Sequence, residues 1–312
     1  MTNSKLKGKD LLTLHDFSPQ DINTIIDKAL EIKRNRARFS KDLEGKSLAM
    51  LFEQRSLRTR ASFEVAMTQL GGHAMYLTTD TIWEESYQDM GQVLDGYADV
   101  IMARMDKHES IVELANNAKI PVINGLTDKY HPCQVLADLL TVREKKGRLK
   151  GINLTYTWAY CHRARPAGVC NSLLFGSAKT GVNITIACPV GYEPDDEVLE
   201  MARKDAAETG ARVQITNDLR EGLSGADVVY AKNYTSAKLA NEEETRQKNK
   251  HWIVNEDLFK TADPDAIFMH CMAVYRNEEV TPEVVDGPRS VIIEEAHNRL
   301  HAQKAVLSLL TP

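Results

Sequence analysis

The stretch SLRTR, from Ser56 to Arg60, sets two guanidinium groups and two hydroxyls within five residues. An apolar run, Leu48 to Phe52, precedes it, and an amphipathic pattern follows, so it reads as a strand end opening into a helix. The N-terminus of a helix offers backbone N–H groups without intrahelical partners and the positive end of the helix dipole. Ser56, Arg58, Thr59 and Arg60 added to that setting make an anion cradle suited above all to phosphate. The competing reading is an N-cap followed by surface arginines. The glycines and lysine of a Walker loop are absent. Arg55 adds a further cation beside the cradle, either solvated or facing an anionic substrate.

Other strand ends carry polar groups. ADVIMARM closes on Arg104, which reads either as a boundary charge or as a cation aimed at an anion. In NGLTDKYHPCQ, His131 and Gln134 fall three apart at a helix start, on one face. Each offers a donor for a carbonyl or amide, although a histidine there also serves as a simple cap. AIFMHCMAVYR supplies His270, Cys271 and Arg276, with a buried cysteine for packing as the alternative. Glu84 and Glu85, in TDTIWEESYQD, read as a solvated acidic loop or as groups facing a cationic acceptor.

The elements that must position these residues alternate strand and helix. SLAMLFE, HAMYL, ADVIMARM and IPVINGL have the composition of short buried strands. SPQDINTIIDKALEIKRNR reads as a helix with Ser18 as N-cap and Pro19 first, and HPCQVLADLLTVREKK as another. GRLKG, at 147–151, marks a boundary. Beyond it INLTYTWA, VNITIACP, ARVQIT, ADVVYAK, AIFMHC and SVIIEEA read as strands, and EEAHNRLHAQKAVLSLL as a long final helix. The fold class is α/β, two doubly wound parallel-sheet domains in tandem bridged by terminal helices. The expected domains are 1–147, with helix 294–312 packing back, and 148–293. Ligands of such sheets sit at the carboxyl ends of the strands.

The bulk numbers agree. The chain has 312 residues and a net charge of −5, which disfavours nucleic acid as a partner. No apolar run is long enough for a membrane span, and no signal peptide is visible. Five scattered cysteines without a CxxC disfavour a disulfide framework or zinc site and suit a reducing, cytoplasmic setting.

Taken together, SLRTRASFEVAMTQLGGHAMYL, YADVIMAR, PVINGLTDKYHPCQVLADLLT, CPVGYEP, ADVVYAK, FMHC, EVTPEVVDGP and EEAHNRLHAQKAVL resemble the aspartate/ornithine carbamoyltransferase family over nearly the whole chain. The resemblance implies an N-terminal domain for carbamoyl phosphate, a C-terminal domain for an amino-acid acceptor, and a homotrimer with shared active sites. It implies that Ser56, Leu57, Arg58, Thr59 and Arg60 form the phosphate cradle. Arg104 then bridges phosphate and carbamoyl oxygen, His131 polarises the carbonyl, and Gln134 grips the amide. Cys271, Met272 and Arg276 fall in the segment that closes the site from the second domain, and Trp83 in a loop that a neighbouring subunit inserts. The implied reaction is attack of an uncharged primary amine on the carbamoyl carbon with release of phosphate; it requires no metal, cofactor or covalent intermediate.

The sequence also departs from the ornithine pattern. After ADVVY, where ornithine enzymes carry an aspartate and then Ser-Met-Gly, this chain has Lys232, Asn233 and Tyr234. A lysine repels an α-ammonium and suits a carboxylate or an acylated nitrogen. TWAYCHRARPAGVCNSLL and VVYAK resemble the N-acetylornithine and N-succinylornithine branch, which implies a shallow knot in the second domain. Met272-Ala273 replaces Leu-Pro, so that loop is expected to be rebuilt. Gln54-Arg55 stands before the serine where the family has Lys-Pro, and His297 replaces a glutamate. The acceptor thus stays open among ornithine, an acylated ornithine and another amine such as putrescine, lysine or diaminopropionate. A non-catalytic anion binder on the same fold and the reverse, phosphorolytic direction are the other readings.

Overall fold

The computed structural model describes residues 5–78 and 84–312. The chain divides into two compact units, one running to Leu140 and taking in His297–Pro312, the other spanning Thr141–Ala296.

The first unit is built on four parallel strands: β1 (Ser47–Phe52), β2 (His73–Thr78), β3 (Val100–Arg104) and β4 (Val122–Leu126). Their order is β2-β1-β3-β4. β1 is buried from Leu48 to Phe52 and β3 from Val100 to Ala103, as expected of strands covered on both faces. The free edge of β4 is closed by the N-terminal segment, where Leu11 N–H donates to Val122 O at 2.9 Å and Leu11 O accepts from Asn124 N–H at 2.9 Å. The chain leaves β1 toward β2 on one side and reaches β3 on the other, so the order reverses between β1 and β3. Their carboxyl ends, Phe52 and Arg104, are register partners. Such a reversal opens a crevice at the strand ends.

The second unit repeats the plan with five parallel strands: β5 (Asn153–Thr157), β6 (Asn183–Ala187), β7 (Val213–Thr216), β8 (Val228–Ala231) and β9 (Ile267–Met269). The order is β7-β6-β5-β8-β9, and the reversal lies between β5 and β8, at Thr157 and Ala231. Aromatic side chains fill the region beyond those ends. Trp158 Nε1–H donates to Tyr234 O at 2.9 Å, and the Tyr234 hydroxyl donates to Tyr192 O at 2.6 Å. Tyr156 and Tyr230 stack with ring centroids 5.4 Å apart.

One expected strand is corrected. SVIIEEA does not extend: Ser290 makes only an isolated bridge with Phe268, and a helix begins at Ile292 and continues to Leu310. Val291, Ile292, Glu295, Asn298, Arg299, Ala302 and Gln303 are buried, a spacing of three and four that belongs to a helix. The short apolar run VII is compatible with either period.

A glycine sets the approach of the helix Leu57–Leu70 to the sheet. Ala103 pairs with Asn124 but Arg104 with Leu126, so Gly125 is the extra residue of a bulge, a device that re-aims neighbouring side chains. A Cβ on Gly125 would lie 2.5 Å from Met102 Sδ, 3.3 Å from Ala103 O and 3.4 Å from Thr59 Cγ2. The thioether can yield, but the backbone oxygen and the helix start cannot do so freely. Gly125→Ala is therefore expected to destabilise the first unit by about 1–3 kcal/mol, read as a lowered urea midpoint.

Candidate functional site

In the first unit, the helix Leu57–Leu70 follows β1 directly, and Ser56 caps it, its Oγ accepting from Thr59 N–H at 3.3 Å. Thr59 is buried, Arg58 half-buried and Arg60 exposed. A second helix, Pro132–Lys146, starts just beyond β4 with proline in its first position, where the missing N–H costs nothing. His131 immediately precedes it and is buried, as is Gln134 in its first turn.

Arg299, on the helix Ile292–Leu310, joins the two helix starts. Its buried guanidinium donates to Gln134 Oε1 at 2.7 Å and to Thr59 Oγ1 at 3.2 Å. Gln134 Nε2 donates in turn to Asp138 Oδ1 at 2.8 Å. These bonds fix the amide so that its oxygen faces Arg299 and its nitrogen faces Asp138. Burial, and then the positive fields of Arg299, Arg104 and Arg58, hold the His131 imidazole well below its ordinary range. His131 is therefore neutral at neutral pH. The arrangement offers guanidinium groups, hydroxyls and helix N-termini to an anion, with a neutral imidazole beside them.

The other members of the stretch play different parts. Leu57 is 81% exposed, so it serves the helix start through its backbone. Arg60 Nε–H donates to Glu64 at 3.2 Å, and its guanidinium lies 3.8 Å from the Tyr76 ring centroid. Those local contacts hold it on the outer face of the helix. Arg55 is exposed. Trp83 lies outside the described residues.

In the second unit, the strand ends carry a buried ionic cluster. Lys232 follows β8, its N–H donating to Thr157 O at 3.0 Å. It does not stand as a lone cation, which corrects the premise drawn from its position in the sequence: Nζ donates to Glu279 Oε1 at 2.8 Å, with side-chain exposures of 8% and 0%. Glu279 Oε2 accepts from Tyr275 N–H at 3.0 Å and lies 3.1 Å from His270 Nε2. His270 Nδ1 accepts from Met272 N–H at 2.9 Å, and Glu295 Oε2 accepts from His270 N–H at 2.9 Å. Burial alone would raise Glu279, but His270 and Lys232 outweigh it and lower it to about 2.

Cys271 and Met272 are half-buried and follow this cluster. The Met272–Ala273 peptide is cis without a proline, and Met272 has a φ of 58°. Arg276 is exposed and forms a two-pronged pair with Asp286, Nε to Oδ2 at 2.8 Å and a terminal nitrogen to Oδ1 at 2.5 Å. Its guanidinium must leave Asp286 before it can take a ligand. Arg299 and Glu279 were missed by sequence reasoning. The EEAHNRLHAQKAVL segment reads as part of a long final helix, and an arginine among residues with a buried helical spacing is a usable signal. Glu279 had no comparable signal, because its partner Lys232 is 47 positions away.

Residues 9–144 match the family profile described as aspartate/ornithine carbamoyltransferase, carbamoyl-P binding domain, and residues 150–310 its Asp/Orn binding domain. The chain is 46% identical to the ornithine carbamoyltransferase of Bacillus subtilis over 99% of its own length and 96% of that protein. It is 45% identical to that of Pyrococcus abyssi over 98% and 96%. Among solved structures, ornithine carbamoyltransferase from Pyrococcus furiosus matches with a TM-score of 0.91 at 43% identity, covering 98% of each chain. Acetylornithine transcarbamylase complexed with acetylcitrulline matches with a TM-score of 0.91 at 31% identity, covering 97% of this chain and 99% of that one.

The ionic cluster has a pH signature. Glu279 sits at about 2 in the folded chain against an ordinary 4.5. A depressed carboxyl contributes stability that is complete above its unfolded value and is lost as pH falls toward the folded one. Acid unfolding followed by circular dichroism should therefore steepen as pH falls from 4.5 toward about 2. Glu279→Gln should flatten that limb while costing about 3–5 kcal/mol at neutral pH, because Lys232 loses its buried counter-charge.

Proposed function

The chain belongs to the aspartate/ornithine carbamoyltransferase family, and from that premise we propose that it moves the carbamoyl group of carbamoyl phosphate to the side-chain amine of ornithine. The observation that carries this reading is the convergence in the first unit of Arg58, Arg104 and Arg299 on a neutral His131, with Arg299 also holding Thr59 at the start of the helix that Ser56 caps.

In the proposed reaction, the phosphate rests on the start of the helix Leu57–Leu70, held by Ser56, Thr59 and Arg58. The carbamoyl oxygen faces Arg104 and His131. The uncharged amine attacks the carbamoyl carbon, the oxygen gains negative charge, and the C–O bond to phosphate then breaks, the departing phosphate taking the proton that the amine gives up. A donor aimed at such an oxyanion contributes about 3–4 kcal/mol. His131 suits this role because its neutral ring can donate one N–H without a proton having to be supplied. Gln134, oriented by Arg299 and Asp138, grips the carbamoyl amide. The rest of the rate comes from holding two substrates in register. Cys271 and Met272 contribute to the acceptor site, and Arg276 contributes after release from Asp286. A homotrimer in which Trp83 reaches a neighbouring copy's site belongs to the same proposal.

Ornithine is preferred as acceptor because the ornithine carbamoyltransferases compared are 43–46% identical to this chain, against 31% for the acetylornithine enzyme. A second reading, an acylated ornithine, is favoured by one observation: acetylornithine transcarbamylase complexed with acetylcitrulline matches the fold as well as the ornithine enzyme does, with a TM-score of 0.91 for each. The two are separated by offering ornithine, N-acetylornithine, N-succinylornithine, putrescine and lysine with carbamoyl phosphate and following phosphate and the carbamoylated product by mass. Turnover of ornithine alone supports the proposal; turnover confined to an acylated acceptor replaces it with the second reading. No turnover of any acceptor, with carbamoyl phosphate still bound, would reject both.

The mechanism makes its own prediction. Arg104→Ala should lower kcat about 100- to 1000-fold with the fold retained, whereas Arg58→Ala should act mainly on carbamoyl phosphate affinity. Unchanged affinity in Arg58→Ala, measured by calorimetry, would remove that residue from the cradle.

A further inference from the structure

In the second unit, beside the Lys232–Glu279 pair, three unlike donors meet. Cys161 Sγ, His162 Nδ1 and a Glu278 carboxylate oxygen all lie within 4.8 Å of one another. They come from two segments: the loop that follows β5 and the turn that precedes Val280. His162 Nδ1 is 2.8 Å from Glu278 Oε2 and 3.0 Å from Oε1, and Glu278 Oε2 also accepts from the His162 backbone N–H at 2.9 Å. The Cys161 thiol lies beside the same carboxylate and helps to hold it ionised. The Tyr275 ring meets the imidazole edge-on, with centroids 4.8 Å apart, which fixes the plane of the ring.

We propose that Cys161, His162 and Glu278 form a binding site for a divalent zinc-class metal ion. The donor set decides the class. A thiolate and an imidazole select zinc or cobalt over calcium and magnesium, which take oxygen ligands. Three protein ligands leave a fourth tetrahedral position for water or a small anion. Bond lengths of about 2.0–2.3 Å to sulfur, nitrogen and oxygen put tetrahedral ligands within roughly 4 Å of each other, so donors already within 4.8 Å need only a small side-chain shift to share one ion. The Cys161 thiol binds the ion as thiolate, so the ion displaces its proton and binding is stronger at higher pH.

A bound ion would cross-link the two segments. The loop after β5 is already tied to the chain beyond β8, since Thr235 N–H donates to Arg165 O at 2.8 Å and Asn233 Nδ2 donates to Arg163 O at 2.5 Å. Glu278 adjoins Glu279, so the ion would also stiffen the turn that holds the carboxylate of the Lys232 cluster. The site is independent of the choice of acceptor, and its test does not use activity.

The full chain, stripped with a chelator, is titrated with zinc by calorimetry and with cobalt by absorption. The expected result is one ion per chain, with a sulfur-to-cobalt charge-transfer band that disappears in Cys161→Ser and persists in Cys271→Ser. His162→Ala changes an exposed side chain and should fold normally; it should weaken zinc by about 10-fold or more, as ligand-shell losses do. Glu278→Gln should do the same. Binding below one ion per chain, affinity unchanged in His162→Ala, or a band that follows Cys271 would each overturn the proposal.

Discussion

The arrangement of the first unit depends on one buried guanidinium. Arg299 touches Thr59 in one helix start and Gln134 in another, so it fixes the spacing of two helix N-termini that β1 and β4 deliver separately. These hydrogen bonds run to neutral oxygens, which orient the guanidinium without discharging it. A buried charge is costly unless it is hydrogen-bonded, and here its field falls on His131. Together with burial, and with Arg104 and Arg58, it keeps that imidazole neutral. The interaction that organises the site thus also sets its electrostatics.

The second unit solves the converse problem. Glu279 is a fully buried carboxylate, and it persists as an anion because a lysine, a histidine and a backbone N–H converge on it. Lys232 follows β8, His270 follows β9, and Tyr275 lies in the turn between His270 and Glu279 itself. The cluster therefore closes only when the parallel strands are in register. A register slip of one residue would reverse the faces of the strand and leave the carboxylate without its partners.

Much of this was legible in the sequence, for reasons that differ by element. The α/β class followed from short buried strands alternating with helices, and SLRTR was legible because a cap, a strand end and charged side chains are local signals. Long-range pairings carry no such signal. Arg299 lies 240 positions from Thr59; its helical spacing marks it as buried, but no local pattern names the partners it reaches. SVIIEEA misled because an apolar run of three fits a strand as well as a buried helix turn. Arg60 also pairs with Glu64 and stacks on Tyr76, local contacts that its residue type and place in the stretch do not announce.

The Lys232 argument illustrates how a partner changes a conclusion. A lone lysine at the end of β8 would repel an ammonium group by about 4 kcal/mol at 4 Å in a medium of intermediate dielectric, enough to exclude a free α-amine. Paired with Glu279, the same lysine is one end of a dipole. Its repulsion is offset by an attraction of similar size from a carboxylate 2.8 Å away. The net field on an acceptor then depends on which end of the pair it approaches, and the position in the sequence no longer decides the charge of the acceptor. Replacing a buried ion pair by apolar groups is often neutral or favourable for stability, so stability alone is a weak reason for this pair. What the pair does provide is geometry: it anchors the turn through Tyr275 and Arg276 to the end of β8, and so fixes where Cys271 and Met272 stand.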